Sequence, residues 1–575
     1  MPIYSRFFYS FIPLSGRRAI FFVAALIVLF STLHATLPTL PSSLETLTIQ
    51  EGGRRKPYFV FAEESLRSLS GSSLFGKTGV QLDGKSFTAT EVITSFWLEP
   101  TIDWASKPMI LVSHQPLKEA LGLDLRRKLF SYEELVHNEK LQKIISEASA
   151  ERRRDAQKRL EGLAKEASDV GMRLALFEEL AKGSIFCIVP NAERVSGKWA
   201  SLADWKSMDD SEEAIAASDD FSAMQAAWTS GDAAAFSQAV SRLCSVLECL
   251  VQPDSVPTWK LKLEVFYQKA HPFRWAWIFY ALSGILLMLF SSVQKNEGRN
   301  FWKRFGYRTA WFCAGSGFLL QLLGLISRVL VAGRPPVTNM YEVVIWVAFG
   351  VILFALIFET IYHAGTFLLG AVPVAVASLI LADSQPMILD QSIRPLMPVL
   401  RDNFWLSTHV LMITLSYAAF ALSLGVAHVI LLRGIFQKKV TATLYNYLYR
   451  SMQVGVLLLA TGVILGGVWA NYSWGRFWDW DPKETWALTA LLGYLFLLHG
   501  RIAGRWGGFG LAVGAVFAFL GILMASYGVN FILGSGLHSY GFGTGGYPIV
   551  LGFIGLEIAV VTAAIICDRK QRKKK

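Results

Sequence analysis

From Pro272 to Ile566 the chain is one apolar run after another, and that succession leaves few folds open. Runs fall at about 273–293, 309–331, 343–362, 366–382, 407–432, 451–470, 485–500, 509–528 and 547–566, and a further one spans Ala19–Leu37. Most come close to the roughly 20 residues a helix needs to cross a bilayer. Backbone polar groups in lipid must be satisfied within their own segment, so such runs read as helices. The expected fold is mainly α: a polytopic α-helical membrane protein of about ten transmembrane helices, with a mostly helical extracytoplasmic domain after the first.

Charge placement gives the orientation. The net charge of +11 would suggest nucleic acid in a soluble protein, but here Lys and Arg cluster beside the apolar runs. Arg17-Arg18, the loop 294–308, the stretch Arg433–Arg450, the loop Arg501–Arg505 and the tail from Arg569 all fall on one side, which the positive-inside rule makes cytoplasmic. This predicts a membrane anchor over 1–37, an outer domain over 38–270, a transmembrane domain over 271–566 and a basic cytoplasmic tail over 567–575. A signal peptide competes for the first run. Its length and the lack of a small-x-small cleavage site favour a retained anchor. The protein is placed in the cytoplasmic (inner) membrane with both termini inside.

The outer stretch shows no spanning run. Leu47 to Pro57 and Phe61 to Arg67 read as a strand or turn and then a short amphipathic helix. Helical spacing from Glu133 to Lys182 predicts one or two long helices, with a hairpin as one arrangement, and an Ala-rich helical stretch follows from Glu212 to Cys249. No catalytic constellation stands out here. The five cysteines form no C-x-x-C, zinc or C-x-x-C-H pattern, which excludes a c-type cytochrome and a thioredoxin-like reductase. Cys244 and Cys249 are open to pairing, but their spacing puts them on different helix faces.

The most unusual stretch is Trp469-Ala-Asn-Tyr-Ser-Trp474-Gly-Arg-Phe-Trp478-Asp-Trp480-Asp-Pro-Lys-Glu-Thr-Trp486. Its charges, Arg476, Asp479, Asp481, Lys483 and Glu484, make it too polar for lipid, and its tryptophans make it too aromatic for an ordinary loop. An interfacial aromatic belt is the plain alternative. His409 sits just inside the outer end of a span and His538 in the last outer loop, so the two bracket this aromatic platform. Imidazole is a common axial ligand of heme iron. His499 falls toward the cytoplasmic end of its span. His428 and His34 read as packing residues. Glu359 and Glu557 lie within spans and are costly there unless paired.

The tryptophan order, with His499 downstream, resembles the WWD domain of heme-handling proteins. Together with Gly324-Leu-Ile-Ser-Arg328, Gly333-Arg-Pro-Pro-Val-Thr-Asn-Met-Tyr-Glu342, Trp405-Leu-Ser-Thr-His409, Leu498-His499-Gly-Arg501 and Gly536-Leu-His538-Ser-Tyr540, it resembles the CcsA (ResC) subunit of system II cytochrome c biogenesis. Residues 47 to about 270 are more weakly similar to the outer segment of fused CcsB-CcsA proteins. The resemblance implies that heme b is the substrate. It makes His409 and His538 the outer heme ligands and His499 one ligand of an inner site. Trp474, Trp478, Trp480 and Trp486 would pack the porphyrin, while Asp479 and Asp481 would orient the loop or the propionate-facing water. Arg476 and Lys483 are matched to the propionates on charge alone. The implied reaction joins the heme vinyl groups to the cysteines of an apocytochrome c C-x-x-C-H motif. Implied partners are a CcsB/ResB-like membrane protein carrying the second inner ligand (unless His34 supplies it), apocytochrome c, and thiol-reducing thioredoxin-like proteins. A heme exporter or chaperone without ligase activity uses the same residues, and a polytopic transporter is the third reading.

Overall fold

A computed structural model describes residues 40–71, 79–82, 85–99, 101–155, 160–190, 199–208, 211–250, 256–291, 299–386, 388–396, 402–436, 440–533 and 546–573. The anchor expected over 1–37, His34 and His538 lie outside the described residues.

The chain first builds a small helical body with its own core. Strands β1 (Thr48–Glu51) and β2 (Arg54–Pro57) pair antiparallel, Glu51 opposite Arg54. Between them Gly52 and Gly53 take φ of 60° and 77°, the left-handed pair a two-residue hairpin turn requires. Helix α1 (Tyr58–Ser70) follows, and α2 (Ala89–Leu98) starts from a Thr88–Glu91 capping box. Of the arrangements left open, the structure has two helices packed on each other, α3 (Glu139–Arg154) and α4 (Gly162–Lys182), and the Ala-rich stretch divides at Gly231 into α5 (Glu212–Ser230) and α6 (Ala233–Cys249). Tyr58, Phe61, Trp97 and Phe186 form an aromatic centre in which Trp97 stacks on Phe186 at 4.8 Å.

Nine described helices are long and apolar enough to cross a membrane. The first begins earlier than the apolar pattern suggests. Helix α7 (Thr258–Ala270) runs into α8 (Pro272–Ser291) through His271, whose φ is 43°. Pro272 disfavours a helical residue before it while serving well as a helix start, which explains a joint rather than a break. Then come α9 (Arg299–Ala332), α10 (Met340–Tyr362), α11 (Thr366–Ser384), α12 (Leu411–Ile435), α13 (Ala442–Trp474), α14 (Pro482–Ile502), α15 (Gly508–Leu523) and α16 (Tyr547–Lys573). Helices α9 and α13, at 34 and 33 residues, exceed their apolar runs. At 1.5 Å per residue each is about 50 Å long, so it stands well clear of a hydrocarbon core of roughly 30 Å.

Helices α11 and α12 touch backbone to backbone where Gly370 meets Gly425, an approach that a side chain at either position would block. Glu359 and Glu557, the two residues expected to be costly in spans unless paired, are both engaged. Glu359 accepts from the Tyr307 hydroxyl at 3.0 Å and from the amides of Gly365 and Phe367 at 2.8 and 2.9 Å, capping the start of α11. Glu557 on α16 lies 2.9 Å from His428 on α12. His428, read from sequence as a packing residue, is thus one half of an intramembrane pair.

Because the spans alternate, one face of the bundle collects the end of α9, the start of α10, the start of α12, the end of α13 and the start of α14. The chain enters α8 from the preceding body on this same face.

Candidate functional site

The tryptophan segment is less of a loop than its composition suggests. Helix α13 continues through Trp469 to Trp474 and stops at Gly475, whose φ of 70° gives a left-handed cap. Only Gly475 to Asp481 is irregular, because Asp481 and Pro482 start α14 at once. The Asp481 carboxylate accepts from the Lys483 amide at 2.9 Å, and Glu484 completes a capping box.

Glu484 is the hub of the turn. Its Oε2 accepts from the amides of Asp479 at 2.8 Å and Asp481 at 3.3 Å, and its Oε1 lies 3.8 Å from Arg476. Arg476 also pairs with Asp479 at 3.3 Å and stands over the Trp474 ring at 5.6 Å. The Arg476 guanidinium therefore organises the turn. Glu484 escaped selection from sequence, although the Asp-Pro-Lys-Glu spacing of a capping box was there to find it.

Within this frame Trp480 has φ of 55° and is 69% exposed. A non-glycine residue in that region persists only when its surroundings hold it. Here the Thr485 hydroxyl donates to the Trp480 carbonyl at 3.1 Å, and Glu484 fixes the amides on either side. Trp478 packs edge-on to Trp480 at 5.9 Å. Phe477, Trp480 and Tyr472 are exposed, so the turn presents aromatic surface outward. Trp486 is half-buried in the second turn of α14.

His409 lies beside this segment. It sits in a π-helical turn, Leu406–Val410, that opens α12. Such widened turns recur at functional positions. Its Nδ1–H donates to the Gly462 carbonyl of α13 at 2.8 Å, and its ring is 5.6 Å from Trp469. Trp469, 4% exposed, stacks on Trp474 at 6.3 Å, so His409, Trp469 and Trp474 form one aromatic series. In the neutral imidazole, donation from Nδ1 leaves the lone pair on Nε2, the arrangement of a metal-binding imidazole with an oriented second nitrogen. Two glycines of α13 make room: Gly466 lies under the His409 ring and Gly467 under Phe477.

His499 is not part of this cluster. It lies seventeen residues along α14, about 25 Å from its start. It is exposed on the helix surface and its Nδ1–H donates to the Leu495 carbonyl at 2.8 Å. Leu492 and Phe496 are exposed at helical spacing on the same side. Among the described residues no group of three or more His, Cys, Asp or Glu side chains forms a metal cage.

Comparison with known proteins bears on these same residues. The family described as Cytochrome C assembly protein matches residues 337–538, which take in the π turn, the tryptophan segment and His499. A Guillardia theta protein named "Cytochrome c biogenesis protein CcsA" is 34% identical over 244 residues, 37% of this chain and 79% of that protein. A protein of the same name from Synechococcus sp. (strain CC9902) is 35% identical over 260 residues, 39% of this chain and 83% of that protein. Protein NrfI of Wolinella succinogenes is 28% identical over 508 residues. That match takes in 85% of this chain, so it reaches into the helical body that precedes α7, but the chain spans only about half, 53%, of the NrfI length.

Proposed function

The chain belongs to the CcsA family of cytochrome c biogenesis proteins, and from that premise we propose that it carries heme b across the membrane and presents it, iron-ligated, for attachment to apocytochrome c. The observation that carries this reading is the seating of His409: Nδ1 fixed on the Gly462 carbonyl, Nε2 holding the lone pair, and the ring in series with Trp469 and Trp474. His409 and His538 act as the two outer axial ligands. Trp474, Trp478, Trp480 and Trp486 supply the apolar surface for the porphyrin, and Asp479 and Asp481 shape the turn that displays them.

The basic residues near Arg433–Arg450, Arg501–Arg505 and Arg569–Lys573 lie on the face opposite the tryptophan turn, which supports placing that turn and residues 38–270 outside an inner membrane. His499 is then an inner ligand. An ionisable side chain on the exposed face of a span is costly in lipid, so the Leu492, Phe496 and His499 face is covered by a membrane partner, a CcsB-like protein that brings the second inner histidine.

In the attachment step each apocytochrome thiol S–H adds across a vinyl C=C. Sulfur bonds to one carbon and the proton goes to the other, with no net redox change. The chain needs no nucleophile of its own for this. Its residues hold the iron and orient the vinyl edge, which makes the catalysis chiefly positional. Thiol-reducing thioredoxin-like proteins keep the apocytochrome cysteines available.

The test is coexpression with a C-x-x-C-H apocytochrome and a CcsB-like partner in a bacterial host lacking other cytochrome c maturation systems. Covalent heme on denaturing gels, lost in His409→Gly, supports the ligase reading. Heme that copurifies with the chain but is never attached identifies an exporter.

A further inference from the structure

A buried ion network lies beside the His409 turn that ligand contact does not explain. Arg328, at the end of α9, and Glu342, in the first turn of α10, pair at 2.8 Å with side chains each 1% exposed. Breaking even against the desolvation of both charges is the usual outcome for such a pair, so stability alone is a weak reason for it. What it does is hold backbone. Arg328 also donates to the Gln391 carbonyl at 3.0 Å, and Arg334 donates to the Arg394 carbonyl at 2.6 Å and to the Thr338 hydroxyl. Glu342 accepts from the Thr338 amide and hydroxyl at 2.9 and 2.7 Å.

Two stretches are thereby fixed. One is 388–396, which precedes the His409 turn in the chain. The other is 334–338, whose Val337 packs against Leu406 of the His409 turn and against Trp469. The outer body meets the same place. Its hairpin turn faces Pro395, so that a methyl group on Gly53 would touch the proline ring at 3.4 Å. Arg54, next in the hairpin, pairs with Glu264 on α7. Burial depresses the Arg334 guanidinium below its ordinary range, and repulsion from Arg328 and Arg54 adds to this.

We propose that the β1–β2 hairpin of the outer body, through Arg54 and the turn at Gly53, is a positioning element for the outer site: it braces the 388–396 segment that the Arg328–Glu342–Arg334 network holds, and so sets the place of the His409 turn. Arg54 and Arg334 are positioning residues that never touch heme. The proposal rests on His409 being a heme ligand only for its spectroscopic consequence. The bracing is measurable without heme.

Ile393 is buried within the braced segment, and it serves as the reporter. In the full chain purified in detergent, with all five native cysteines replaced by serine, Ile393→Cys is alkylated slowly. Arg54→Gln raises that rate about tenfold or more, the effect of losing one hydrogen-bonded charge. Arg54→Glu combined with Glu264→Arg restores the slow rate. If the chain carries heme, Arg54→Gln also converts part of its bis-imidazole spectrum to a high-spin form, which the paired exchange reverses. Unchanged alkylation in Arg54→Gln overturns the proposal, as does a fast rate that the exchange fails to reverse. Colourless protein whose alkylation still follows the predicted pattern leaves the bracing established and refutes the heme reading instead.

Discussion

The imidazole of His409 comes so close to α13 that a methyl group on Gly466 would meet its Cε1 at 2.5 Å. The helix is therefore bare at one point so that a ring from the π-helical turn before α12 can reach the Gly462 carbonyl one turn back. This contact separates function from stability. Gly466→Ala improves helix propensity by about 1 kcal/mol, yet it must push the imidazole off its carbonyl. The expected outcome is a protein at least as resistant to heat as the parent but with most of its heme lost, read by thermal unfolding and by the Soret band of one preparation. Full heme retention would show that His409 does not sit as described.

Trp480 offers a second separation. Its φ of 55° costs roughly 1–2 kcal/mol, and glycine at that position relieves the strain. With 69% of Trp480 exposed, little apolar burial is lost in return. Trp480→Gly should leave the unfolding temperature unchanged or higher while weakening heme binding. Glu484→Gln acts oppositely: it removes the charge that holds two amides and Arg476, and should cost about 1–3 kcal/mol and loosen Trp478 and Trp480 together. Tryptophan fluorescence quenching by iodide should rise in that variant.

Much of this was legible in the sequence, and the gaps have physical reasons. The spans, the helices α3 and α4 and the tryptophan series follow from periodicity and composition, which report burial directly. Helix ends did not follow, because α13 runs on to Trp474 with polar and aromatic residues that no apolar window counts. Glu557 was marked as costly unless paired, but its partner His428 lies 129 positions away, and no local pattern joins them. The same holds for Arg328 and Arg334, which reach carbonyls in 388–396 that only the folded backbone brings near.

Acidity should act on the helical body that precedes α7 through Glu63. Burial pushes this carboxyl up to about 7, with Arg67 at 3.8 Å offsetting part of the effect. Between its ordinary value of 4.5 and about 7 the folded chain holds a proton that the unfolded chain has released, so this group's contribution falls as pH rises through that window. Thermal unfolding of the full chain should lose stability from pH 4.5 to 7, and Glu63→Gln should flatten that slope. An identical slope in the variant would assign the dependence elsewhere.

The two neighbouring cysteines should differ sharply. Cys249 is exposed, whereas burial pushes the Cys244 thiol up to about 12 and its Sγ lies 3.8 Å from the Ser43 carbonyl. At pH 8 iodoacetamide should modify Cys249 and spare Cys244 in the folded protein, with both reacting after denaturation, as read by peptide mass spectrometry. A disulfide between them would be seen as two protected thiols released only by reductant.

The central claim is that His409 holds heme iron beside the tryptophan turn. Its most direct test is the absorption spectrum of the protein purified from heme-replete cells, alone and as His409→Gly with and without added imidazole. A Soret band with low-spin α and β features is expected in the parent, with their loss in the variant and their return when imidazole fills the space left by the side chain. A colourless parent, or a His409→Gly spectrum identical to the parent's, would contradict it.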